Sequence, residues 1–575
     1  RVLVDAAVRE AGGDEAQAAL AVSVATAAAA MQQSPDAAWR RAKNAVMRSE
    51  PPQYQCSRRC RLMQALQPSD HLEESDWADL SKVMTWEDWT EILKSFDTGK
   101  SAGGSQVRIE LIRALPKQTQ TEMMNFINAM MGTNCVPAVL LEARMATLHK
   151  KVAKPFGLGN IRPISLLEVV LKIMDKHHMR AINKCLLKKK TILGSMQHAF
   201  SPGRGVSSPL IANELVNEDA AASEGDRTAW TAYHDVAKAY DSVEFWAQEV
   251  ALRRMKLPAF FIDYWREVSR RGTTRVQTKH GLTDPYPVER GVRQGAVLSP
   301  IIFNFFMEAL TVLLQQEEAY KTRTGAAVHG AVFADDVWNV SSSYSGIRSK
   351  AATTAYFLGF HGMTMNAEKT HFTATWEQPD GISPPPIKVR VWKKGYYASD
   401  DGFVDELIPF RSPTAKARYL GLWFLGTGCS AESFTAMNGK FHQAISQMNS
   451  RRCSYSVAAY VMQAVLYARL GYGMAVVIPD TEDCGKWQSM ANGVLTKALQ
   501  AVGLKRAVLF AERQYGGLGG KSLLRIRDEV AVTTVLSLLN GPDSVTARLL
   551  QDCLCPPGVG GYFGCAANPG GEKVG

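Results

Sequence analysis

The sequence lacks any apolar run long enough to cross a bilayer. The longest weakly polar run, AALAVSVATAAAAM from Ala18, is short and rich in alanine, whereas a transmembrane helix needs about 20 predominantly apolar residues. The same run lacks the basic start and the cleavage site of a signal peptide. We therefore expect no membrane segment, and we predict a helix at this position.

The cysteines lack regular spacing. There are ten in 575 residues, and disulfide frameworks belong to short secreted chains rather than to a chain of this size. Two groups contain enough Cys and His for a zinc site, but neither has the paired C-x2-C spacing. These groups are Cys56 and Cys60 with His71, and Cys553, Cys555 and Cys565. The sequence therefore predicts reduced thiols in an intracellular protein.

Acidic residues are scarce in one part of the chain. Residues 143 to 204 contain 13 Lys and Arg against 2 Asp and Glu, an excess equal to the whole net charge of +11. A charged run is often only a solvated surface, but a concentration on this scale indicates a polyanion, either nucleic acid or nucleotide phosphates. The block includes Lys150, Lys151, Lys154, Arg162, Lys188, Lys189, Lys190 and Arg204.

A basic amphipathic helix is predicted after the segment NIRPIS in this block. Apolar and charged residues recur there at helical spacing. The predicted apolar face comprises Leu167, Val170, Leu171, Met174, Ile182 and Leu186, and the predicted polar face comprises Glu168, Lys172, Lys176, Arg180 and Lys184.

Two adjacent carboxylates interrupt the apolar stretch AVFADDVWNV, residues 331–340. The flanking residues are β-branched, aromatic or small, so the stretch predicts a strand, a tight turn and a second strand, with Asp335 and Asp336 at the bend. Because Asp is a common turn residue, an ordinary hairpin is the favoured explanation of this stretch when it is taken alone.

A second carboxylate-bearing element is TAYHDVAKAYDSVEFW, residues 231–246. It predicts a strand that ends near Asp235 and a helix that begins after Asp241, and Asp241 with Glu244 has the spacing of a capping box. Asp235 has no such local role, and a carboxylate at the end of a buried strand needs a cation or a donor. Together with Asp335 and Asp336 it would form an oxygen-rich site suited to two Mg²⁺ ions.

The third element is ERGVRQGAVLSPIIFNFFMEALTVLL, residues 289–314. Ser299 and Pro300 predict the start of a helix that is apolar nearly all round and therefore buried. Gly291 and Gly295 flank a turn in which the backbone can approach a ligand and the Gln294 amide can reach it. A plain glycine loop is the alternative.

The sequence resembles the reverse transcriptases, most closely those of non-LTR retrotransposons. The resemblance lies in eight blocks that occur in the family's order within residues 95–425. They are KSAGGSQV, NIRPISLL, QHAFSPGRG, DVAKAYDSV, RQGAVLSPIIFN, FADD, GMTMNAEKT and YLGL.

This resemblance implies a two-metal phosphoryl transfer site. Asp235, Asp335 and Asp336 match the carboxylates that hold two Mg²⁺ ions, with Mn²⁺ as a substitute, and Val236 belongs to both the metal and the nucleotide site. Lys369 matches the lysine proposed to protonate the leaving pyrophosphate, a role that suits an ammonium near phosphate.

The resemblance also implies a nucleotide site and a primer grip. Tyr240 matches the bulky residue that excludes a 2′-hydroxyl, and Gln294 with Gly295 matches the turn against the incoming nucleotide. Arg162 and Arg204 match residues that meet triphosphate or template. The hairpin that grips the primer is represented by Tyr419, Leu420 and Gly421.

The expected fold class is α+β, a right-hand polymerase with fingers, an antiparallel palm sheet and a helical thumb. The predicted divisions are a helical extension at 1–94, fingers at 95–234, palm at 235–425, thumb at 426–540 and a tail at 541–575. We expect residues 373–415, rich in Pro, Gly and charge, to form a surface excursion. The extension is predicted to touch template RNA through Arg40, Arg41, Arg58 and Arg59.

The sequence therefore predicts an RNA-directed DNA polymerase that acts on template RNA, a DNA primer or target and deoxynucleotides. We expect it in the nucleus or in a cytoplasmic ribonucleoprotein, as a polymerase module without an endonuclease, because neither flank is long enough for a nuclease domain. The alternatives are an intron-type maturase that assists splicing and an RNA-dependent RNA polymerase. The latter would usually have GDD in place of FADD and no RQG turn.

Overall fold

The computed structural model describes residue 58 and residues 61–150, 160–377, 382–392, 403–429, 431–451, 453–500, 505–515, 517–541 and 544–554. Several predictions lie outside these residues: the helix from Ala18, three of the extension arginines, and most of both candidate zinc groups. Within them, every helix is too short or too polar to cross a bilayer.

The part of the chain before residue 222 is mainly helical. A 3₁₀ helix, Glu74–Ser81, precedes helix α1. Thr85 is the N-cap residue of α1 and forms a reciprocal capping box with Asp88. The named elements are α1 (Trp86–Lys94), α2 (Ile109–Ala114), α3 (Lys117–Thr133), α4 (Ala138–Leu141), β1 (Glu142–His149), β2 (Ile161–Leu166), α5 (Val169–Lys188) and α6 (Ser207–Ala221).

Helix α5 confirms the predicted basic helix, with one correction. Leu171, Met174 and Ile182 are fully buried on its inner face. Glu168 was predicted on the solvent face, but it is only 3% exposed, and its carboxylate accepts hydrogen bonds from the backbone N–H and the hydroxyl of Ser105. The first sequence block, KSAGGSQV, is thereby fastened to the N-terminus of α5.

The middle of the chain contains most of the strands. Its elements are β3 (Trp230–His234), β4 (Val236–Ala237), α7 (Ala239–Ser242), α8 (Phe245–Arg254), α9 (Ala259–Arg270), β5 (Thr273–Thr278), β6 (Gly281–Leu282), β7 (Tyr286–Pro287), α10 (Ser299–Gln315), β8 (Tyr320–Lys321), β9 (Ala327–Val328), β10 (Gly330–Phe333), β11 (Asp336–Ser341), α11 (Tyr344–Phe360), β12 (Thr364–Met365), β13 (His371–Ala374), β14 (Ile387–Trp392), β15 (Phe403–Ile408), β16 (Ala417–Tyr419), β17 (Leu422–Leu425) and β18 (Gly428–Cys429).

An antiparallel sheet with the strand order β10-β11-β3-β13 forms the centre of this region. Strand β3 is buried along its whole length, as its composition WTAYH allows. One face of the sheet packs on α10 and α11 within the largest core, and the other face carries a second cluster around Tyr233, Trp338 and Tyr419. A separate sheet joins β1 to β2 antiparallel and to β5 parallel.

Helix α10 is almost completely buried, as predicted. Its start differs by one residue from the prediction, because Leu298 occupies the N-cap position while Ser299 is the first helical residue and is fully buried. Pro300 stands in the first turn, where its missing N–H is not needed.

The described residues within 373–415 do not form the surface excursion that we expected. Strands β14 and β15 pair along six residues each, from Ile387 opposite Ile408 to Trp392 opposite Phe403. Ile387, Val389 and Val391 are buried in the main core, so this hairpin extends the hydrophobic core.

The remainder of the described chain is helical, as predicted for a thumb. Its elements are α12 (Ala431–Ser450), α13 (Tyr455–Tyr460), a π-helical stretch (Val461–Tyr467), α14 (Ala468–Met474), α15 (Thr481–Leu499), α16 (Arg506–Phe510), a 3₁₀ turn (Arg513–Tyr515), α17 (Leu523–Asn540) and α18 (Ser544–Leu554). These helices enclose their own core. Helix α18 then returns to α6, where the hydroxyls of Thr546 and Ser208 lie 3.2 Å apart.

Candidate active site

The FADD segment forms a tight hairpin at the edge of the central sheet. Phe333 pairs with Asp336, and Ala334 takes a left-handed conformation with φ of 55°. The predicted strand, turn and strand are therefore confirmed, with a small shift: the turn consists of Ala334 and Asp335, and Asp336 opens strand β11. Asp335 thus projects from the turn itself.

Asp235 follows strand β3 directly and lies beside this hairpin. Val337 on β11 pairs with His234 on β3, so the next residues on the two neighbouring strands are Asp336 and Asp235. Burial raises the pKa of Asp336 to about 7, and the charges of Asp335 and Asp235 add to this effect. The fold therefore concentrates negative charge in a partly desolvated place.

Lys369 is the nearest cation to this group in the described contacts. Its ammonium lies 3.1 Å from Oδ2 of Asp235, and the backbone N–H of Asn366 donates to the carbonyl of Asp235. Burial also raises the pKa of Asp335, and Asp235 adds to the rise while Arg162 and Lys369 oppose it. Of the two predicted basic residues, Lys369 thus contacts a carboxylate, and Arg162 lies near enough for its charge to act on Asp335.

The donor chemistry of this site fits divalent cations. Three neighbouring carboxylates supply the oxygen ligands that a hard cation prefers. In the part of the chain that the structure describes, no three His, Cys, Asp or Glu side chains already surround a single point. The three carboxylates are neighbours but do not point to one common position, and the Asp235 carboxylate forms an ion pair with Lys369. Metal binding would therefore require Asp235 to exchange its ammonium partner.

Val236 and Tyr240 lie directly downstream of Asp235. Val236 is buried and pairs with Met365 across β4 and β12. The ring of Tyr240 stacks on Phe303 of α10 at 4.8 Å between centroids and 12° between planes. Burial, followed by the charge of Asp335, raises the pKa of the Tyr240 hydroxyl. This ring is therefore rigidly held beside the carboxylates.

The RQG turn packs against the Tyr240 segment. Gly291 and Gly295 have φ of 87° and 106°, as the glycine pattern predicts, and a Cβ on Gly291 would lie 2.9 Å from Cα of Asp241. Gln294 donates its amide N–H to the carboxylate of Asp241. The predicted capping role of Asp241 is wrong, because Glu244 is the N-cap residue of α8.

Arg204 is placed differently from Arg162. Its guanidinium donates to backbone carbonyls of the loop before it, including those of Leu193 at 2.9 Å and Gln197. These bonds hold the QHAFSPGRG segment in shape. The predicted contact of Arg204 with triphosphate or template stays a prediction.

The predicted primer grip is a hairpin that covers one face of the sheet. Leu420 and Gly421 form its left-handed turn, with φ of 43° and 90°, and the carbonyl of Leu420 accepts the hydroxyl proton of Tyr472 from α14. Tyr419 is buried, and its ring lies 5.3 Å from that of Tyr233. This hairpin thus joins the first thumb helices to the carboxylate face of the sheet.

Two residues near the site were missed by the sequence reasoning. Arg418, the residue before the grip tyrosine, lowers the pKa of Asp336. Phe200 is half exposed, has a left-handed φ of 49°, and places its ring 6.2 Å from that of Phe333. The position beside the grip was a usable signal for Arg418, whereas Phe200 meets Phe333 only through long-range packing.

Residues 148–424 match the protein family described as "Reverse transcriptase (RNA-dependent DNA polymerase)". The match contains the carboxylate strands, the RQG turn and the grip hairpin. These residues form a reverse transcriptase domain. The predicted α+β fold of a right-hand polymerase is confirmed by this match together with the antiparallel sheet and the helical region that follows it.

The domain is of the non-LTR retrotransposon type. The chain is 27% identical over 306 residues to the Pol polyprotein of element R2DM from Drosophila melanogaster, covering 53% of this chain and 27% of that protein. It is 32% identical over 255 residues to the R2 polyprotein of Nasonia vitripennis, covering 44% and 24%. It is 24% identical over 343 residues to the RNA-directed DNA polymerase of the mobile element jockey from Drosophila melanogaster, covering 57% and 35%.

The matched region spans about a quarter to a third of the length of these relatives. Among solved structures, telomerase from Candida tropicalis, determined in a complex with a fragment of telomeric RNA, aligns with 11% identity and a TM-score of 0.37. That alignment covers 74% of this chain and 67% of the telomerase chain. A similarity at this level adds nothing to the functional argument.

Proposed function

We propose that this chain is an RNA-directed DNA polymerase of a non-LTR retrotransposon, which extends a primer 3′-hydroxyl with deoxynucleotides on an RNA template. The observation that carries the proposal is the adjacency of Asp235, Asp335 and Asp336 at neighbouring strand ends, where each negative charge disfavours the next. Such a site has no evident structural use without cations, because the partly buried carboxylates Asp335 and Asp336 carry like charges beside Asp235, and neighbouring like charges destabilise the fold.

Polymerases of this class use divalent metal ions, and we propose two Mg²⁺ ions here, with Mn²⁺ as a substitute. The ligands would be the three carboxylates together with Val236. When bound, the ions supply a lowered pKa at the primer hydroxyl and neutralise charge on the departing pyrophosphate.

The surrounding residues have separate roles in this proposal. The Tyr240 ring, held on Phe303, blocks the space of a 2′-hydroxyl, while Gln294 and Gly295 line the nucleotide site. Arg162 supplies positive charge for the triphosphate. Lys369 holds a proton at Nζ for the leaving group, and its link to Asp235 is exposed enough to break, since two thirds of the lysine side chain is open to solvent.

The proposed macromolecular partners are template RNA and a DNA primer or target. The basic α5 region and the grip hairpin of Tyr419, Leu420 and Gly421 lie on either side of the carboxylates along the chain and suit a phosphate backbone. We further propose that the protein acts in the nucleus or in a cytoplasmic ribonucleoprotein, where these partners occur.

Primer extension with the purified chain on an RNA template tests the function. We expect DNA synthesis that requires a divalent cation and prefers deoxynucleotides over ribonucleotides. Asp335→Asn should abolish it, whereas the matched control Asp263→Asn should not, because the partner of Asp263 among the described contacts is Arg266, in an exposed pair one helical turn away.

Each alternative has its own outcome in this assay. A preference for ribonucleotides would favour an RNA-dependent RNA polymerase. Stimulation of intron splicing without extension would favour a maturase. Full activity of Asp335→Asn would remove the assigned site.

A further inference from the structure

Asp241 and Gln294 form a side-chain pair between α7 and the RQG turn. The Gln294 Nε2 lies 3.1 Å from Oδ1 and 3.3 Å from Oδ2 of Asp241, so one amide group spans both carboxylate oxygens. Asp241 is largely buried, and burial raises its pKa while the bond from Gln294 opposes this rise. The pair is therefore a partly desolvated, charge-assisted hydrogen bond, which is a strong class.

The backbone around the pair is fixed by other contacts. The N–H of Val292 donates to the carbonyl of Tyr240 at 2.7 Å, and the N–H of Gly291 donates to that of Val243 at 2.8 Å. On the other side, the Gln294 carbonyl accepts from the N–H of Ser165 at 2.7 Å. Because these bonds already place the turn, the side-chain pair has a different effect: it sets the rotation of the Gln294 carboxamide.

A carboxylate accepts hydrogen bonds and cannot donate them. Facing Asp241, the Gln294 carboxamide must present its NH₂ edge, so its carbonyl edge points the other way. A neutral or apolar residue in place of Asp241 would remove this constraint and let the carboxamide turn over. Asp241 also lies next to Tyr240, whose ring stands beside Asp335, so the carboxamide it orients adjoins the proposed nucleotide site.

We propose that Asp241 is a positioning residue that locks the Gln294 carboxamide with its acceptor edge towards the incoming nucleotide. The inference rests on the proposed function, because it assigns a role within that nucleotide site. The ligand group it selects is a hydrogen-bond donor of a deoxynucleoside triphosphate. Asp241 itself does not touch the nucleotide in this arrangement.

A double-mutant cycle tests this role. In wild-type protein, Asp241→Ala should raise the KM for deoxynucleotides about tenfold, as expected for the loss of a charge-assisted hydrogen bond, with a smaller change in kcat and none in primer–template affinity. In a Gln294→Ala background the same substitution should change KM less than about twofold, because no carboxamide remains to be oriented.

A conservative variant guards against a folding artefact. Asp241→Asn keeps the shape and one acceptor oxygen, so its KM should lie between wild type and Asp241→Ala. Thermal unfolding of each variant should remain close to that of Asp263→Asn, the surface control. Equal KM losses from Asp241→Ala in both backgrounds would overturn the inference, as would a loss confined to kcat.

The outcome for wild type separates the two proposals. If wild-type protein extends a primer but the effects at Asp241 and Gln294 are additive, only the positioning role fails. If folded wild-type protein does not extend any primer, the proposed function fails and the inference fails with it.

Discussion

Two hairpins of the palm region use charged residues in opposite ways. In β14–β15, Lys388 and Asp405 face outwards and pair at 2.8 Å, while Ile387 and Val389 point into the core. In β10–β11, Asp335 and Asp336 are partly buried and lie next to Asp235. Burial raises the pKa of both carboxyls, and the charge of Asp235 adds to each rise. The first arrangement minimises electrostatic cost. The second arrangement brings like charges together at an electrostatic cost, as expected of a site that requires a cation.

The largest expected effect concerns the catalytic hairpin. Asp336→Asn should lower primer extension by at least roughly 10³-fold, because a ligand to the proposed ions is lost. In EDTA the same variant should be more stable than wild type at pH 8. The pKa of Asp336 is raised from 3.8 to about 7 in the folded state, so the wild-type fold loses stability as the pH rises between these two values. The gain of the variant should be complete above pH 7 and should vanish as the pH falls towards 4. Urea unfolding at both pH values checks the sign.

The structural hairpin should respond in the opposite way. Ile387→Ala removes a fully buried side chain and should lower the free energy of unfolding by about 3 kcal/mol. The carboxylate site is untouched, so kcat and KM of the remaining folded protein should be near those of wild type. A selective loss of activity in well-folded protein would show that this hairpin belongs to the site.

Lys369 is the cation nearest to the carboxylate site in the described contacts. Lys369→Gln should lower kcat by roughly 10²-fold, the scale of a lost general acid, with less change in KM. The loss should shrink with substrates whose leaving group needs no proton. Arg411→Gln serves as the matched control, at a half-buried arginine whose guanidinium donates to the backbone carbonyl of Lys416. Equal losses in both variants would remove Lys369 from the chemistry.

The smallest effect is expected at the exposed pair of the structural hairpin. Asp405→Asn should change the free energy of unfolding by less than about 0.5 kcal/mol, because solvent-exposed ion pairs contribute little. Thermal unfolding at low and high salt measures this. A loss above about 2 kcal/mol would mean that the two hairpins do not differ in the way described.

Local patterns predicted the catalytic region well. The FADD hairpin, the buried helix α10 and the basic helix α5 all follow from residue spacing within one segment, and both RQG glycines take the positive φ that a glycine-flanked turn indicates. The residue types suggested that Asp235 shares a site with Asp335 and Asp336, and the family resemblance supported this, because strand pairing across a hundred residues leaves no local pattern.

The failures have a common physical cause. Asp241 and Glu168 each satisfied a local rule, for a cap and for a solvent face, but distant partners, Gln294 and Ser105, determine where they lie. The β14–β15 hairpin was missed because its Pro and charged residues indicate a loop, although IKVRVW alternates as a half-buried strand does. In each case tertiary contacts, and not the local sequence pattern of a few residues, determined the structure.

The return of helix α18 to α6 also restricts how the helical region can move. The thumb helices leave the palm at the grip hairpin, where Tyr472 holds Leu420, and come back where Thr546 meets Ser208. A region that is attached at two separated points rotates most easily about the line that joins these points. Under the proposed function, movement of the helical region to admit a duplex should therefore be a rotation about this line, and disrupting either attachment should allow movements in other directions.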